Sequence, residues 1–187
     1  MTRPARLTVV ALALAALVLT TGWRYAVVGD SVTYDSRQEL EDRGATVRAF
    51  GGVTIAQGRP AIRQLARNGA EVLVIALGRM DLSYGDSLGE IRHRIGNVMR
   101  TDIASVDCVV WLDLTTQANL IADWPRRARA FNATLRDLAA DHGVRVARWS
   151  AVAADHPRWF RPDLIHLRPV GQQGYADFVA RSANQLC

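Results

Sequence analysis

Val72–Leu77 reads Val-Leu-Val-Ile-Ala-Leu and is closed by Gly78. Every position is apolar, so neither face of this segment suits water. It is too short for an ordinary buried helix and rich in β-branched residues, which predicts a strand covered on both faces. Cys108–Leu114, Cys-Val-Val-Trp-Leu-Asp-Leu, reads the same way. Tyr25–Val28 is a third apolar run, ending in Gly29-Asp30-Ser31. Ala45–Phe50, broken by Gly51-Gly52, and the shorter Val144–Ala147 complete five candidate strands.

The intervening stretches predict helices. Ser36–Asp42 is polar and closed by Gly44. Pro60 is expected near a helix start and Gly69 near its end, with Ile62, Leu65 and Ala66 on a buried face. Leu88–Ile103 is helical in pattern although Gly96 weakens it, and Arg126–His142 is a long helix stopped by Gly143. A last helix runs from about Gly171 to Leu186. Strands alternating with helices predict a three-layer α/β/α domain with a five-stranded parallel sheet in the flavodoxin-like order 2-1-3-4-5. In that order the ligand crevice lies beyond the carboxyl ends of strands 1 and 3.

The chain has 187 residues, room for one domain of ordinary size. Charged residues are 22% and hydrophobic ones 49%, which excludes a disordered chain. All 23 basic residues are arginine, and with 18 acids the net charge is +5. They are scattered rather than gathered into a stripe, so no nucleic-acid surface is expected. Arg126, Arg127 and Arg129 read as a solvated helix face. His93, His142 and His156 lack metal-ligand spacing, and the two cysteines form no CxxC, so no metal site is expected. Trp111, Trp124, Trp149 and Trp159 read as core or crevice wall. Asn132-Ala133-Thr134 fits a glycosylation pattern but falls inside the long helix.

Arg3 and Arg6 precede Leu7–Thr21, fifteen residues without a charge. This is the order of an export signal. With Gly22 and Trp23 the run approaches the 17–25 residues or so that a membrane span needs. Residues 1–23 are therefore expected to be a signal peptide or an N-terminal membrane anchor, and residues 24–187 the domain, on the outer side of the membrane. In that oxidising compartment Cys108, at the start of strand 4, is expected to pair with Cys187. The last helix runs back antiparallel to the strands and ends at the same edge.

Two polar patterns fall at the carboxyl edge of the predicted sheet. Ser31 stands where strand 1 turns toward a helix. Asp163-Leu164-Ile165-His166 lies in the loop expected after strand 5, with a spacing that puts a carboxylate beside an imidazole within one turn. Separately they are an N-cap serine and a surface turn. Together they supply a nucleophile, a base and the partner that holds the base's tautomer.

In this order and spacing the blocks resemble the SGNH hydrolase family, the GDSL-type esterases and lipases, over Tyr25–Leu186. The first block is Val28-Gly29-Asp30-Ser31, with Ser31 in the nucleophile's place. In Phe50-Gly51-Gly52-Val53-Thr54, Gly52 matches the glycine whose N–H helps form an oxyanion hole. Leu77-Gly78-Arg79-Met80-Asp81 stands where the family has Gly-x-Asn-Asp. In Pro162-Asp163-Leu164-Ile165-His166-Leu167, Asp163 and His166 match the acid and base. Gly171 and Tyr175 open the closing helix as family members tend to.

Met80 departs from the pattern, because a thioether cannot donate the hydrogen bond of the family's asparagine amide. Arg79 beside it, or Gln117 and Asn119 beyond strand 4, are candidate substitutes. The resemblance implies a cofactor-free, metal-free serine esterase, expected as a monomer, acting on a small-molecule, glycan or lipid ester. Acyl transfer is a variant of the same chemistry. The rival expectation, kept alive by Met80, is a catalytically silent, membrane-tethered glycan-binding domain on the same fold.

Overall fold

The computed structural model describes residues 25–118 and 121–187. The expected signal or anchor, residues 1–23, and the candidate donor Asn119 lie outside them. Among the described residues no helix is long and apolar enough to cross a membrane.

The sheet has five parallel strands in the order β2-β1-β3-β4-β5: β1 Tyr25–Gly29, β2 Thr46–Ala49, β3 Val72–Ala76, β4 Cys108–Leu112 and β5 Arg145–Ala147. In the central register Val27 lies opposite Val74, and Val74 opposite Val110. β1 is buried throughout, and β3 and β4 at all but one end residue, as their unbroken apolar runs require. The edge strand β2 alternates exposed Thr46 and Arg48 with buried Val47 and Ala49.

Among the described residues eight α-helices flank the sheet: α1 Ser31–Asp35, α2 Arg37–Glu41, α3 Ile55–Arg67, α4 Arg79–Ser83, α5 Leu88–Asn97, α6 Trp124–His142, α7 Trp149–Asp155 and α8 Pro169–Leu186. α8 packs on α2 and lies along β3, β4 and β5, while α3, α5 and α6 contact one another in series. Asn132 is buried and brackets Leu114, accepting from its N–H and donating to its carbonyl at 2.8 Å each. It is a packing residue, as its place inside a helix suggests.

Several expected boundaries change. Pro60 is not near a helix start but inside α3. The helix opens earlier, at a capping box in which Thr54 and Gln57 satisfy each other's backbone N–H groups. Pro60 and Ala56, whose carbonyl loses its helical donor, both lie on the exposed side, where water can replace the bond. Ser36–Asp42 is α2 with its caps, and a further short helix, α1, precedes it because Asp30 caps the chain at Val32. Leu88–Ile103 is α5 followed by a π-helical turn over Val98–Asp102. The loop carrying Asp163 does not leave β5 directly: α7 and a 3₁₀ turn, Pro157–Trp159, come between. Those pieces are too short to show a helical period.

Cys108 and Cys187 form a disulfide with a Cα–Cα distance of 5.9 Å, tying the end of α8 to the start of β4. The bond closes a loop of sequence separation 79, for which the chain-entropy estimate is about 4–5 kcal/mol. The Cys108→Ser, Cys187→Ser protein should therefore unfold roughly 10 °C below the oxidised wild type in a thermal melt. Coincident melts would show that the cross-link contributes nothing to stability.

Candidate active site

Ser31 is the first residue of α1, so helix geometry gives its N–H no internal partner. The turn that presents it is fixed from three directions. Asp30 accepts the Val32 N–H at 3.1 Å, and Ser36 donates to the Val32 carbonyl at 2.9 Å. Below the turn, Thr33 Oγ1 and the Tyr175 hydroxyl of α8 are 2.9 Å apart. Gly29 allows this close return, because a Cβ there would lie 2.0 Å from Thr33 Oγ1. Burial pushes the Tyr175 phenol upward, so it stays neutral in this contact.

The loop bearing Asp163 and His166 is a small closed structure. Phe160 and Leu167 form an antiparallel bridge. The N–H of Arg161 donates to the His166 carbonyl, and that of Arg168 to the Trp159 carbonyl, at 2.8 Å each. Leu164 adopts φ 57°, a left-handed conformation that costs a non-glycine residue strain. That kink turns the chain so that one Asp163 oxygen accepts the N–H groups of Ile165 and His166, at 2.9 and 3.0 Å. The other oxygen lies 2.8 Å from His166 Nδ1. Burial alone would raise the Asp163 carboxyl. The His166 ring and the two backbone donors outweigh it and hold the group below its ordinary range. His166 Nε2 is 3.2 Å from Ser31 Oγ. The structure thus lines up carboxylate, imidazole and hydroxyl from two loops more than a hundred residues apart in sequence.

Gly52 stands beyond β2 with φ +71°, and its carbonyl accepts from the Tyr84 hydroxyl at 3.3 Å. Asp81, fully buried, positions this segment: it accepts the Ile55 N–H at 2.8 Å and an Arg94 N–H at 2.8 Å. Burial pushes the Asp81 carboxyl upward, while these donors pull it back. Met80 is partly exposed in the first turn of α4.

Arg79 is 5% exposed and paired with the equally buried Asp30 at 2.6 Å. It also donates from Nη2 to Ser31 Oγ at 3.1 Å. Of the two candidate substitutes among the described residues, Arg79 is the one with a hydrogen bond to Ser31. The Gln117 N–H goes to Thr115 Oγ1.

Beside these groups opens a pocket with about 440 Å³ of empty space, counting its mouth. Its lining includes Val32, Arg79, Asp113, Trp124, Trp149 and Tyr175, but neither Gly52 nor Met80. Asp113 was not singled out from the sequence. It is buried at the end of β4 and accepts the Ser150 N–H and hydroxyl at 2.6 Å each, which ties β4 to α7. Thr33 and Asp30 were likewise illegible as site residues, since their partners are distant in sequence. Among the described residues no cluster of histidine, cysteine and acids could hold a metal.

The GDSL-like Lipase/Acylhydrolase family model matches residues 19–173. The sequence matches none of the curated proteins. Among solved structures, a GDSL-like lipase from Bacteroides thetaiotaomicron superposes with a TM-score of 0.76 at 15% identity, covering 89% of this chain and 90% of that one. The catalytic domain of the Streptococcus pneumoniae peptidoglycan O-acetyltransferase A gives 0.70 at 19%, covering 87% and 93%. A psychrotrophic esterase from a Pseudoalteromonas species gives 0.72 at 13%, covering 88% and 98%. At these identities the structures establish the shared fold.

The Asp30–Arg79 pair generates a stability prediction. Removing one partner of a buried ion pair typically costs 3–5 kcal/mol, because the other charge is left unpaired. Asp30→Ala should lose about that much in urea denaturation. Asp30→Ala with Arg79→Met, which leaves no orphan charge, should be more stable than Asp30→Ala alone. The reverse order would mean that the cap on Val32, not the ion pair, is what Asp30 supplies.

Proposed function

The chain belongs to the GDSL-like lipase/acylhydrolase family, and from that premise we propose that it is a serine ester hydrolase using Ser31, His166 and Asp163. The observation that carries the proposal is the Ser31 Oγ, His166 Nε2, His166 Nδ1, Asp163 line at 3.2 and 2.8 Å. Ser31 attacks the ester carbonyl while its proton passes to His166 Nε2. The Asp163 carboxylate, held ionised, fixes the Nδ1–H tautomer and stabilises the imidazolium. The backbone N–H groups of Ser31 and Gly52 hold the oxyanion. His166 returns its proton to the leaving alcohol, and water or an acceptor alcohol then releases the acyl group. No cofactor takes part in these steps.

The substrate proposed is an acyl or acetyl ester of a glycan or lipid, met outside the cytoplasm by a monomeric domain that is exported or anchored through residues 1–23. Supporting this reading are the apolar run after Arg3 and Arg6, the disulfide, and family neighbours that include an esterase and a peptidoglycan O-acetyltransferase. Exposed Tyr34, Phe50 and Tyr84 lie on the segments that follow β1, β2 and β3, and sugar rings or acyl chains pack well on such aromatic faces. Met80 favours the second reading, a silent glycan-binding domain, because the oxyanion lacks a side-chain amide.

A serine-reactive phosphonate separates the two. The esterase reading expects labelling at Ser31. It also expects Ser31→Ala and His166→Ala to lose turnover to a residual of about 10³–10⁴ over the uncatalysed rate. A folded wild-type protein that neither labels nor hydrolyses short-chain esters supports the binder. Met80→Asn should raise kcat more than it changes KM, by less than the 100- to 1,000-fold or so that an oxyanion donor typically supplies. An unchanged kcat would mean that the backbone donors suffice.

A further inference from the structure

Arg79 requires an account of its own, because a buried guanidinium on the nucleophile is not explained by fold or family. Its placement is strongly constrained. Asp30 Oδ1 lies 2.6 Å from Arg79 Nη2 as its ion-pair partner and is itself locked by the Val32 N–H. The pair is buried, so swinging Arg79 away would leave two desolvated charges. The guanidinium faces the pocket shared with Tyr175 and Ile165, whose lining excludes Gly52 and Met80. What it reaches is Ser31 Oγ, at 3.1 Å.

Counting the hydroxyl's bonds shows what this contact can do. A serine hydroxyl has one proton to donate and two lone pairs. The proton points to His166 Nε2, one lone pair accepts Arg79, and one remains for the substrate carbonyl. Resting on the esterase reading above, we propose that Arg79 is a catalytic residue acting on the seryl oxygen itself, and that Asp30 is the positioning residue that holds it there.

The role differs between the two halves of the reaction. In acylation a donor on Oγ has opposing effects: it makes the proton easier to lose and the oxygen a weaker nucleophile. In deacylation both effects disappear into one. Water attacks the acyl carbon and gives a proton to His166 Nε2. The carbon–Oγ bond breaks, its electron pair stays on Oγ, and Oγ takes the proton from His166. Arg79 keeps all its protons and stabilises the charge that gathers on Oγ as it leaves. The contribution of Arg79 falls on deacylation.

The test is stopped-flow hydrolysis of p-nitrophenyl acetate by the exported chain and its variants. Arg79→Ala should release one nitrophenolate per site in a burst. A steady rate about 10- to 100-fold below wild type should follow, the worth of one charged hydrogen bond. kcat/KM, which reports acylation, should change by less. Arg79→Lys should recover part of the steady rate. Arg79→Ala with Asp30→Asn removes both charges, keeps an acceptor for the Val32 N–H, and should show the same burst if the single variant fails to fold. Equal losses in kcat and kcat/KM without a burst would assign Arg79 a structural role or an oxyanion role and overturn the proposal. So would an unchanged steady rate. An inert wild type that the phosphonate does not label would instead remove the esterase reading on which the proposal rests.

Discussion

A strand buried on both faces has only its ends for polar chemistry, and three of the five strands here are of that kind. β1, β3 and β4 offer no water-facing side chain along their length. The polar groups that the sheet brings to the site must then come from the turns at one edge. Asp30 and Ser31 follow β1, Gly52 follows β2, Arg79 and Met80 follow β3, and Asp113 follows β4. Parallel pairing makes these turns neighbours, because all the strands end on the same side.

Buried carboxylates then join the turns to one another. Asp30 links the turn after β1 to Arg79 after β3. Asp81 links the segment after β3 to the start of α3, beside Gly52, and to Arg94 of α5. Arg94 also pairs with Asp86. Asp113 links β4 to the start of α7 through Ser150. Desolvation makes each carboxylate costly unless its partners are present, so each holds two turns in fixed relation.

The segment bearing Asp163 and His166 belongs to no strand end and is held differently. It is bridged on itself between Phe160 and Leu167 and rests on an aromatic group around Trp149. Trp149 meets the Tyr175 ring edge-on at 5.1 Å and lies 6.3 Å from both Trp159 and Phe160. Tyr175 in turn reaches Thr33 beneath Ser31. α8 therefore underlies both halves of the hydroxyl–imidazole contact, and the disulfide fixes its far end to β4.

Three apolar runs and two further strand-length segments, alternating with helical stretches, pointed to the sheet, its parallel sense and its order, because double burial leaves a clear pattern in Val72–Ala76 and Cys108–Leu112. The pairing of Cys108 with Cys187 was legible for a related reason: strand and helix directions place both at one edge. Ser31, Asp163 and His166 could be picked out by position, since each sits where the pattern breaks. Only the tertiary structure decided how they meet, through the left-handed turn at Leu164 and the α7 and 3₁₀ pieces whose few residues carry no period. The capping box that sets the start of α3 ahead of Pro60 is written in Thr54 and Gln57, although a proline more often marks a helix start. The direction of Arg79 was not legible at all. A side chain of that length can reach several atoms around the turn, and its choice of Ser31 follows from the buried charge it pairs with, Asp30, which is forty-nine positions earlier in the chain.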